Sequence, residues 1–192
     1  MSRIPPLPRS ALAGTEQQAH DEIADFTSQA FGDQFSYKNE DGAFTGPFPF
    51  LTPHNTVHEY KLLISKIASL PGLSPAARET AILATGSVYK AGYELYAHSR
   101  VAEQSTELKK EQIEAICAGR KPDGLSEECE VALDVAKYLA GTPGPLPKEL
   151  WGKSVKLLGK DGTIKLVHYV GIYAYTCMML NAMDAPVPEA EK

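Results

Sequence analysis

The chain has 192 residues, of which 43% are hydrophobic and 22% are charged, and its formal net charge is -5. This length suits one domain with its own core, so we predict a single domain over residues 1–192 with an irregular N-terminal arm over 1–13. The acidic balance argues against nucleic-acid binding, because a phosphate backbone attracts basic proteins.

Two further classes of protein are disfavoured by the apolar pattern. No apolar run reaches the roughly 20 residues that span a bilayer, so we expect no membrane partner. Arg3 and Arg9 are not followed by the apolar stretch of a secretory signal. Three cysteines, with no CxxC pair among them, suggest a reducing compartment rather than a disulfide framework. We therefore expect a cytoplasmic protein.

Apolar residues that recur at spacings of three and four predict helices along most of the chain. Thr15, Ser74 and Ser126 are the expected N-caps, and Pro75 and Pro147 the expected first helical residues. The predicted helices cover about 15–30, 55–70, 75–89, 93–104, 109–118, 127–140 and 147–158, and a last one begins at Asp161 or Thr163. A loop rich in glycine and proline separates the first two helices. Because no segment alternates with period two, we predict an all-α compact bundle of seven or eight helices.

Within this pattern, some residues have a definite expected environment. The helix over 55–70 offers Leu62 and Ala68 for burial. His168 lies in an apolar segment and is expected as a hydrogen-bonded core histidine, whereas His20, among polar neighbours, is expected to face solvent. His54 and His58 are four residues apart, but with Glu59 they supply at most a partial metal site, so we predict no bound metal.

The most informative motif places a carboxylate and an imidazole on one helix face. Glu94 and His98 are four residues apart, which makes them neighbours on a helix. The pair Arg78-Glu79 opens the preceding helix. By itself such a pattern is also compatible with a surface ion pair for Glu94 and His98, and with an acidic residue that stabilises a helix N-terminus for Glu79.

The order of these residues resembles the central signature of the carboxymuconolactone decarboxylase / alkylhydroperoxidase-D-like superfamily. In that signature an Arg-Glu pair at a helix start precedes Tyr-Glu-x-x-x-His, which here is Tyr93-Glu94-x-x-x-His98. Further similarity lies in Gly46-Pro47-Phe48, in the short helix after the histidine and in the last helix, so that it covers most of the chain from about residue 40. The resemblance implies an AhpD-like helical fold and a homo-oligomer, often built from trimers, with pockets near subunit contacts.

Two chemistries occur in this family, and the cysteine positions separate them. Peroxidase-type members carry a CxxC pair before the histidine, but Ala91 and Glu94 occupy those positions here. Thiol peroxidase chemistry needs a thiolate and a resolving thiol, so it is disfavoured. The decarboxylase-type pattern, which uses no cysteine, remains.

The resemblance therefore implies a cofactor-independent decarboxylase or lyase that acts on a small carboxylated lactone, β-keto acid or aromatic-derived acid. We predict His98 as the general acid/base, because an unperturbed imidazole titrates near neutral pH. Glu79 would orient its ring, and Glu94 would serve as its partner in the pocket. Two alternatives stay open: an isomerase or hydrolase on the same scaffold, and a non-catalytic oligomer that binds a small ligand.

Aromatic residues of the loop and the last helix are candidates for the walls of a pocket that holds a flat ring, although core packing explains such residues equally well. We predict Phe48, Tyr96, Tyr173 and Arg78 as substrate-binding residues. Arg78 and Tyr96, together with Arg100, are also candidates for stabilising an enolate.

Overall fold

Residues 2–188, which the computed structural model describes, form helices joined by turns. The α-helices are α1 (Thr15–Ala30), α2 (Phe48–Leu51), α3 (Val57–Ala68), α4 (Pro75–Tyr89), α5 (Gly92–Ser105), α6 (Lys110–Cys117), α7 (Glu127–Gly141) and α8 (Lys148–Met183), and 3-10 helices span Arg9–Ala11 and Thr52–His54. In this part of the chain, the extended pairing is limited to an isolated bridge between Lys38 and Phe44. The all-α prediction is confirmed. Within the same residues, no helix is both long enough and apolar enough to cross a membrane.

Capping chemistry fixes several helix starts as the sequence predicts. The Ser74 hydroxyl accepts a hydrogen bond from the Ala77 backbone N–H at the start of α4, and Ser126 caps α7 in the same way. The prediction for Thr15 is wrong, because Thr15 is already helical and Gly14 is the N-cap. Gly14 has φ +54°, a left-handed conformation that favours glycine, so the backbone rather than a side chain begins α1.

The two helices predicted at the C-terminal end form one element with a sharp bend. In α8 the backbone is helical on both sides of Gly159, which itself has φ 72° and ψ 172°. Such a positive φ suits glycine, and it turns the chain without a separate loop. Pro147 is the N-cap of α8 rather than its first helical residue.

Burial differs from the predictions at the molecular surface. Leu62 and Ala68 of α3 are exposed, because α3 packs on α1 and α8 through only one of its faces. His168 is exposed on α8, so the prediction of a core histidine is wrong. His20 is buried rather than solvent-facing, and its ring lies 4.7 Å from that of Phe44.

Helix α4 lies at the centre of the fold and contacts α5, α6, α7 and α8. Small side chains let these helices approach closely, since Ala76, Ala77, Ala81 and Ala84 are all fully buried in α4. Polar groups that project from α4 are therefore removed from solvent, and Glu79 is one of them, with 1% of its surface exposed.

Two glycines allow the loop before α4 to contact the second half of α8. A Cβ atom built on Gly162 would lie 2.0 Å from the carbonyl oxygen of Gly72 and 3.0 Å from Leu158 Cβ. Gly72 has φ +84° and meets the backbone of Gly162 in the same contact. Glycine is required at 162 because the opposing atoms belong to backbone, which cannot rotate away.

We expect Gly162→Ala to lower the free energy of unfolding by about 1–3 kcal/mol, the usual cost of overpacking. Gly152→Ala is the matched control on α8, since a Cβ there meets nothing within 4 Å. The control should be neutral or stabilising by up to about 1 kcal/mol, because alanine favours helix more than glycine does. Urea unfolding of both variants checks this, and equal stability of the two would contradict it.

Candidate active site

A cavity of about 280 Å³ lies between α1, α3, α4, α5, α8 and the loop before α2. Its walls are mostly aromatic and its polar groups are few, as in small-molecule sites. The aromatic wall residues are Phe26, Phe31, Phe35, Phe48, Tyr60, Tyr93, Tyr169 and Tyr173. The ionisable groups that face it besides the tyrosines are Arg78, Glu79, Glu94 and His98.

Glu79 is held as a carboxylate by two hydrogen bonds, one to each of its oxygens. His98 Nδ1 lies 2.7 Å from Oε2, and Arg78 Nε donates to Oε1 at 2.8 Å. Burial by itself would raise the pKa of Glu79, but the charges and hydrogen bonds of His98 and Arg78 bring that pKa below its ordinary value. An ionised Glu79 can only accept a hydrogen bond, so His98 Nδ1 carries the proton between them.

His98 is buried with its second ring nitrogen beside Glu94. Nε2 lies 3.3 Å from Glu94 Oε1, but that oxygen makes no hydrogen bond, because the two groups are not aligned for one. Burial would lower the pKa of His98, and the negative charges of Glu79 and Glu94 outweigh it and raise the pKa above the ordinary value. A carboxyl group therefore lies beside His98 Nε2, but no hydrogen bond joins the two.

Glu94 differs from Glu79 because His98 approaches it without an aligned hydrogen bond, whereas Glu79 is bound by both His98 and Arg78. Burial raises the pKa of Glu94 to about 7, and the effect of His98 in the opposite direction only partly offsets this. A carboxyl group with such a pKa holds its proton for part of the time at neutral pH. The cavity thus contains one carboxylate that stays ionised and one that can give or take a proton.

Three of the four predicted substrate-binding residues line the cavity, namely Phe48, Tyr173 and Arg78. Tyr96 does not line it. Its hydroxyl accepts a hydrogen bond from the Ser36 backbone N–H at 3.1 Å, and the Arg100 guanidinium lies 4.1 Å from the centre of its ring. Tyr96 is two residues before His98, which places the two side chains on different faces of α5.

Several wall residues come from elements that are distant along the chain and are not indicated by the sequence pattern. Phe31 and Phe35 come from the segment after α1, Tyr60 from α3 and Thr176 from α8. Their spacing within each element carries no sign of a common site. The aromatic character of residues 31–50 indicates an ordered loop, but it does not show which ring faces the cavity.

The cysteines lie away from the cavity wall among residues 2–188. Cys129 and Cys177 are buried, Cys117 is half-buried, and none forms a disulfide. Burial raises the pKa of Cys117 to about 11 and raises that of Cys177 above its usual range. These groups are held as thiols, whereas nucleophilic cysteines are activated as thiolates.

The two histidines four residues apart do not converge on a common point. His58 Nδ1 lies 3.0 Å from Glu22 Oε2, and His54 is exposed in the 3-10 helix before α3. Over the described range 2–188, no group of three or more His, Cys, Asp or Glu side chains is arranged to hold a metal ion.

The pKa values of Glu79 and Glu94 are shifted in opposite directions. Replacement of each residue by glutamine should therefore change the free energy of unfolding in opposite directions. Because the pKa of Glu94 is raised in the folded state, the stability that its protonated form contributes is complete below pH 4.5 and lost as pH rises through about 7. Glu94→Gln should therefore increase the free energy of unfolding at pH 8, by roughly 3 kcal/mol at most, and should have little effect at pH 4.

Glu79→Gln is the comparison variant. The pKa of Glu79 is lowered, so its contribution is present above the ordinary pKa and is lost in acid. We expect this variant to be destabilised at pH 8, because the buried His98 and the half-buried Arg78 lose their counter-charge. Thermal unfolding from pH 4 to pH 8 measures both variants, and a shift of the same sign for both at pH 8 would contradict the assignment.

No protein-family profile matches the sequence, and no curated protein matches it. Solved structures do match its fold. The debrominase Bmp8 superposes with a TM-score of 0.75 at 16% identity, over 98% of this chain and 93% of that chain. A cysteine-to-alanine variant of Bmp8 in complex with 2,3,4-tribromopyrrole matches with a TM-score of 0.72 at 16% identity, over 98% and 92% of the two chains.

A third structure is described as an alkylhydroperoxidase AhpD core, an uncharacterized peroxidase-related protein from Ralstonia eutropha JMP134. Its TM-score is 0.72 at 16% identity, and the match covers 98% of this chain and 93% of that chain. Identities this low establish the fold rather than the activity. The chain has an AhpD-like fold, as the sequence predicts.

Proposed function

We propose that this chain is a cofactor-independent decarboxylase that acts on a small carboxylated lactone, β-keto acid or aromatic-derived acid. The observation that carries the proposal is the buried array Glu79–His98–Glu94, which faces an aromatic cavity beside Arg78. The array offers a proton near neutral pH, and the cavity offers a low-polarity environment in which developing charge interacts strongly with nearby groups.

Arg78 supports binding of a carboxylated substrate. Its Nε atom holds Glu79, and its guanidinium lies at the cavity wall with 32% of the side chain exposed. The terminal nitrogens, beyond that bond, provide donors in the fork geometry that suits a carboxylate. In this arrangement Arg78 binds the substrate and at the same time keeps Glu79 ionised.

The reaction breaks one carbon–carbon bond and forms one carbon–hydrogen bond. The bond to the carboxylate carbon breaks, carbon dioxide leaves, and the electron pair moves into the adjacent conjugated carbonyl to give an enolate. His98 Nε2 then delivers a proton to the carbon that lost the carboxylate, and the enolate collapses to the carbonyl. Glu94 lies 3.3 Å from Nε2 and returns a proton to the imidazole, so that each turnover consumes one proton from solvent.

Cavity size supports a ligand with a single ring. About 280 Å³ lies near the lower limit of typical ligand pockets, which begin at roughly 300 Å³. The neighbour Bmp8 has been solved with a bromopyrrole, also a single-ring compound. Thiol chemistry is not proposed here, because the described cysteines lie outside the cavity and burial raises the pKa of Cys177.

The two alternatives predict different behaviour of the same site. An isomerase or hydrolase would use His98 as a base and change the substrate without release of carbon dioxide. A non-catalytic module would bind a ring compound in the cavity, and its binding would survive His98→Ala. Decarboxylation is preferred because Arg78 supplies a carboxylate-binding cation beside the acid/base array.

We expect carbon dioxide release from at least one member of a panel of carboxylated lactones, β-keto acids and aromatic-ring acids. His98→Ala should lower kcat by about 10²–10⁴-fold, the usual contribution of a general acid/base. His58→Ala is the matched control, since His58 is exposed and contacts Glu22. Conversion of a substrate without gas would favour the isomerase or hydrolase, and binding without conversion would favour the module.

We also propose that the protein is a homo-oligomer, a trimer or a multiple of one, that packs through α8 and α3. No Asp, Glu, Lys or Arg occurs from residue 166 to 183, so α8 is uncharged around its whole circumference there. A helix of this kind is normally covered on every side. Exposed residues at helical spacing follow one face, namely Ile164, Val167, Gly171, Tyr175 and Met178.

A second copy fits this face better than a lipid surface does. Leu63 of α3 and residues of the α8 face line a groove of about 580 Å³. A Cβ on Gly171 would meet nothing within 4 Å, so a helix from another copy can approach its backbone closely. His168 and the Tyr175 hydroxyl lie in the same groove and suit polar partners.

We expect Met178→Glu to shift the protein to a monomer in light scattering after size-exclusion chromatography, since a buried unpaired charge opposes association. Trp151→Glu is the matched control, because Trp151 is an exposed aromatic residue on the first half of α8, outside this face. The control should keep the mass of the wild type. A monomeric wild type would contradict the proposal.

A further inference from the structure

Four tyrosines line the cavity, and two of them, Tyr60 and Tyr93, form hydrogen bonds within the protein. The Tyr60 hydroxyl lies 2.7 Å from Thr176 Oγ1. Thr176 donates its own proton to the Ile172 carbonyl at 2.9 Å, so the Tyr60 proton points to Thr176. The Tyr93 hydroxyl lies 3.1 Å from Thr45 Oγ1 and donates to the Ser36 carbonyl at 3.4 Å.

Tyr169 and Tyr173 lie at different places in the cavity. Tyr169 lies near Arg78, at the end that we assign to the substrate carboxylate, and the charge of Arg78 partly offsets the rise that burial causes in the pKa of this tyrosine. Tyr173 packs edge-on against His98, with ring centres 4.9 Å apart, and stacks on Tyr169 at 6.1 Å. Within residues 2–188 the Tyr173 hydroxyl has no hydrogen-bond partner, although only 8% of the residue is exposed.

The Tyr173 oxygen is not sealed off among protein atoms, so a ligand in the cavity can reach it. The proton of this hydroxyl is available to a ligand in the cavity, next to the imidazole that acts on the substrate. Burial raises the pKa of Tyr173 well above its ordinary value, so the group remains a neutral donor at any pH at which the protein works.

From this geometry we infer that the Tyr173 hydroxyl donates a hydrogen bond to the oxygen that becomes negative when the substrate forms its enolate. The inference rests on the proposed function and assigns the donor which that function requires. Arg78 then binds the carboxylate, Tyr173 binds the oxyanion, and His98 protonates the carbon between them. The substrate class follows: the carboxylated carbon is adjacent to, or conjugated with, a carbonyl oxygen on the same small ring.

Tyr173→Phe removes the hydroxyl and keeps the ring that packs on His98. We expect kcat to fall by about 10–10³-fold, as when one oxyanion donor is lost, while KM changes little. Tyr138→Phe is the matched control, because Tyr138 lies on α7 outside the cavity wall and its hydroxyl donates to the Pro145 carbonyl. The control should keep kcat within a few-fold of wild type, although it also loses one hydrogen bond.

A binding experiment tests the donor without any turnover. The probe is 4-nitrophenol, whose anion is a single-ring oxyanion and absorbs visible light. Wild type and Tyr138→Phe should bind the anion with similar dissociation constants and lower the pKa of the bound phenol. Tyr173→Phe should bind it about tenfold more weakly, the expected loss for one hydrogen bond to a charged oxygen.

The outcomes test the role of Tyr173 separately from the proposed decarboxylase activity. Equal anion binding by wild type and Tyr173→Phe, or no anion binding by wild type, would overturn the role of Tyr173 whatever the reaction is. Anion binding that depends on Tyr173, together with no release of carbon dioxide from any acid, would retain the donor and overturn the decarboxylase. Release of carbon dioxide that is unaffected in Tyr173→Phe would retain the decarboxylase and overturn the donor.

Discussion

The ionised carboxylate of Glu79 is the constraint on which the site depends. It projects from α4, the helix enclosed by four others, where an unpaired charge would cost several kcal/mol. Arg78 is its neighbour in sequence, but His98 must arrive from α5. The turn between the helices provides for this: Lys90 adopts a left-handed conformation with φ 54°, and its N–H caps α4. The hydrogen bond between Glu79 and His98 therefore fixes both how α4 and α5 cross and which ring nitrogen of His98 carries the proton.

Two glutamates in one cavity acquire different properties from their surroundings rather than from their chemistry. Glu79 has a basic partner at each oxygen and loses its proton. Glu94 is buried, its Oε1 atom has no aligned hydrogen-bond partner, and it keeps its proton up to about pH 7. Aromatic walls strengthen both effects, because they exclude water from the charges. Pairs of titratable groups with opposite shifts are typical of acid/base sites. Thiol chemistry is disfavoured for a separate reason, since Cys177 lies outside the cavity wall and burial stabilises its neutral form.

The spacing of residues along the chain predicted much of this arrangement, but it did not predict the contacts between elements that are distant in sequence. The i, i+4 relation of Glu94 and His98, the caps at Ser74 and Ser126 and the break in the helix near residue 159 all follow from rules that act within a few residues. Tyr96 was predicted to bind substrate, but it lies two residues before His98 on α5, and a shift of two residues turns a helical side chain by about 200°. The wall residues from α1, α3 and α8 depend on how helices pack, and this information is spread over the whole chain.

Helix α8 joins the site to the molecular surface. Its inner face supplies Tyr169, Tyr173 and Thr176 to the cavity, and its outer face presents the uncharged stripe. Tyr60 borders both the cavity and the outer groove, and its hydroxyl binds Thr176 of α8. A copy that packs in the groove would therefore restrict the motion of the helix that carries Tyr173, the proposed oxyanion donor. On this view association and catalysis depend on the same element, because the position of Tyr173 relative to His98 is only as fixed as α8 itself.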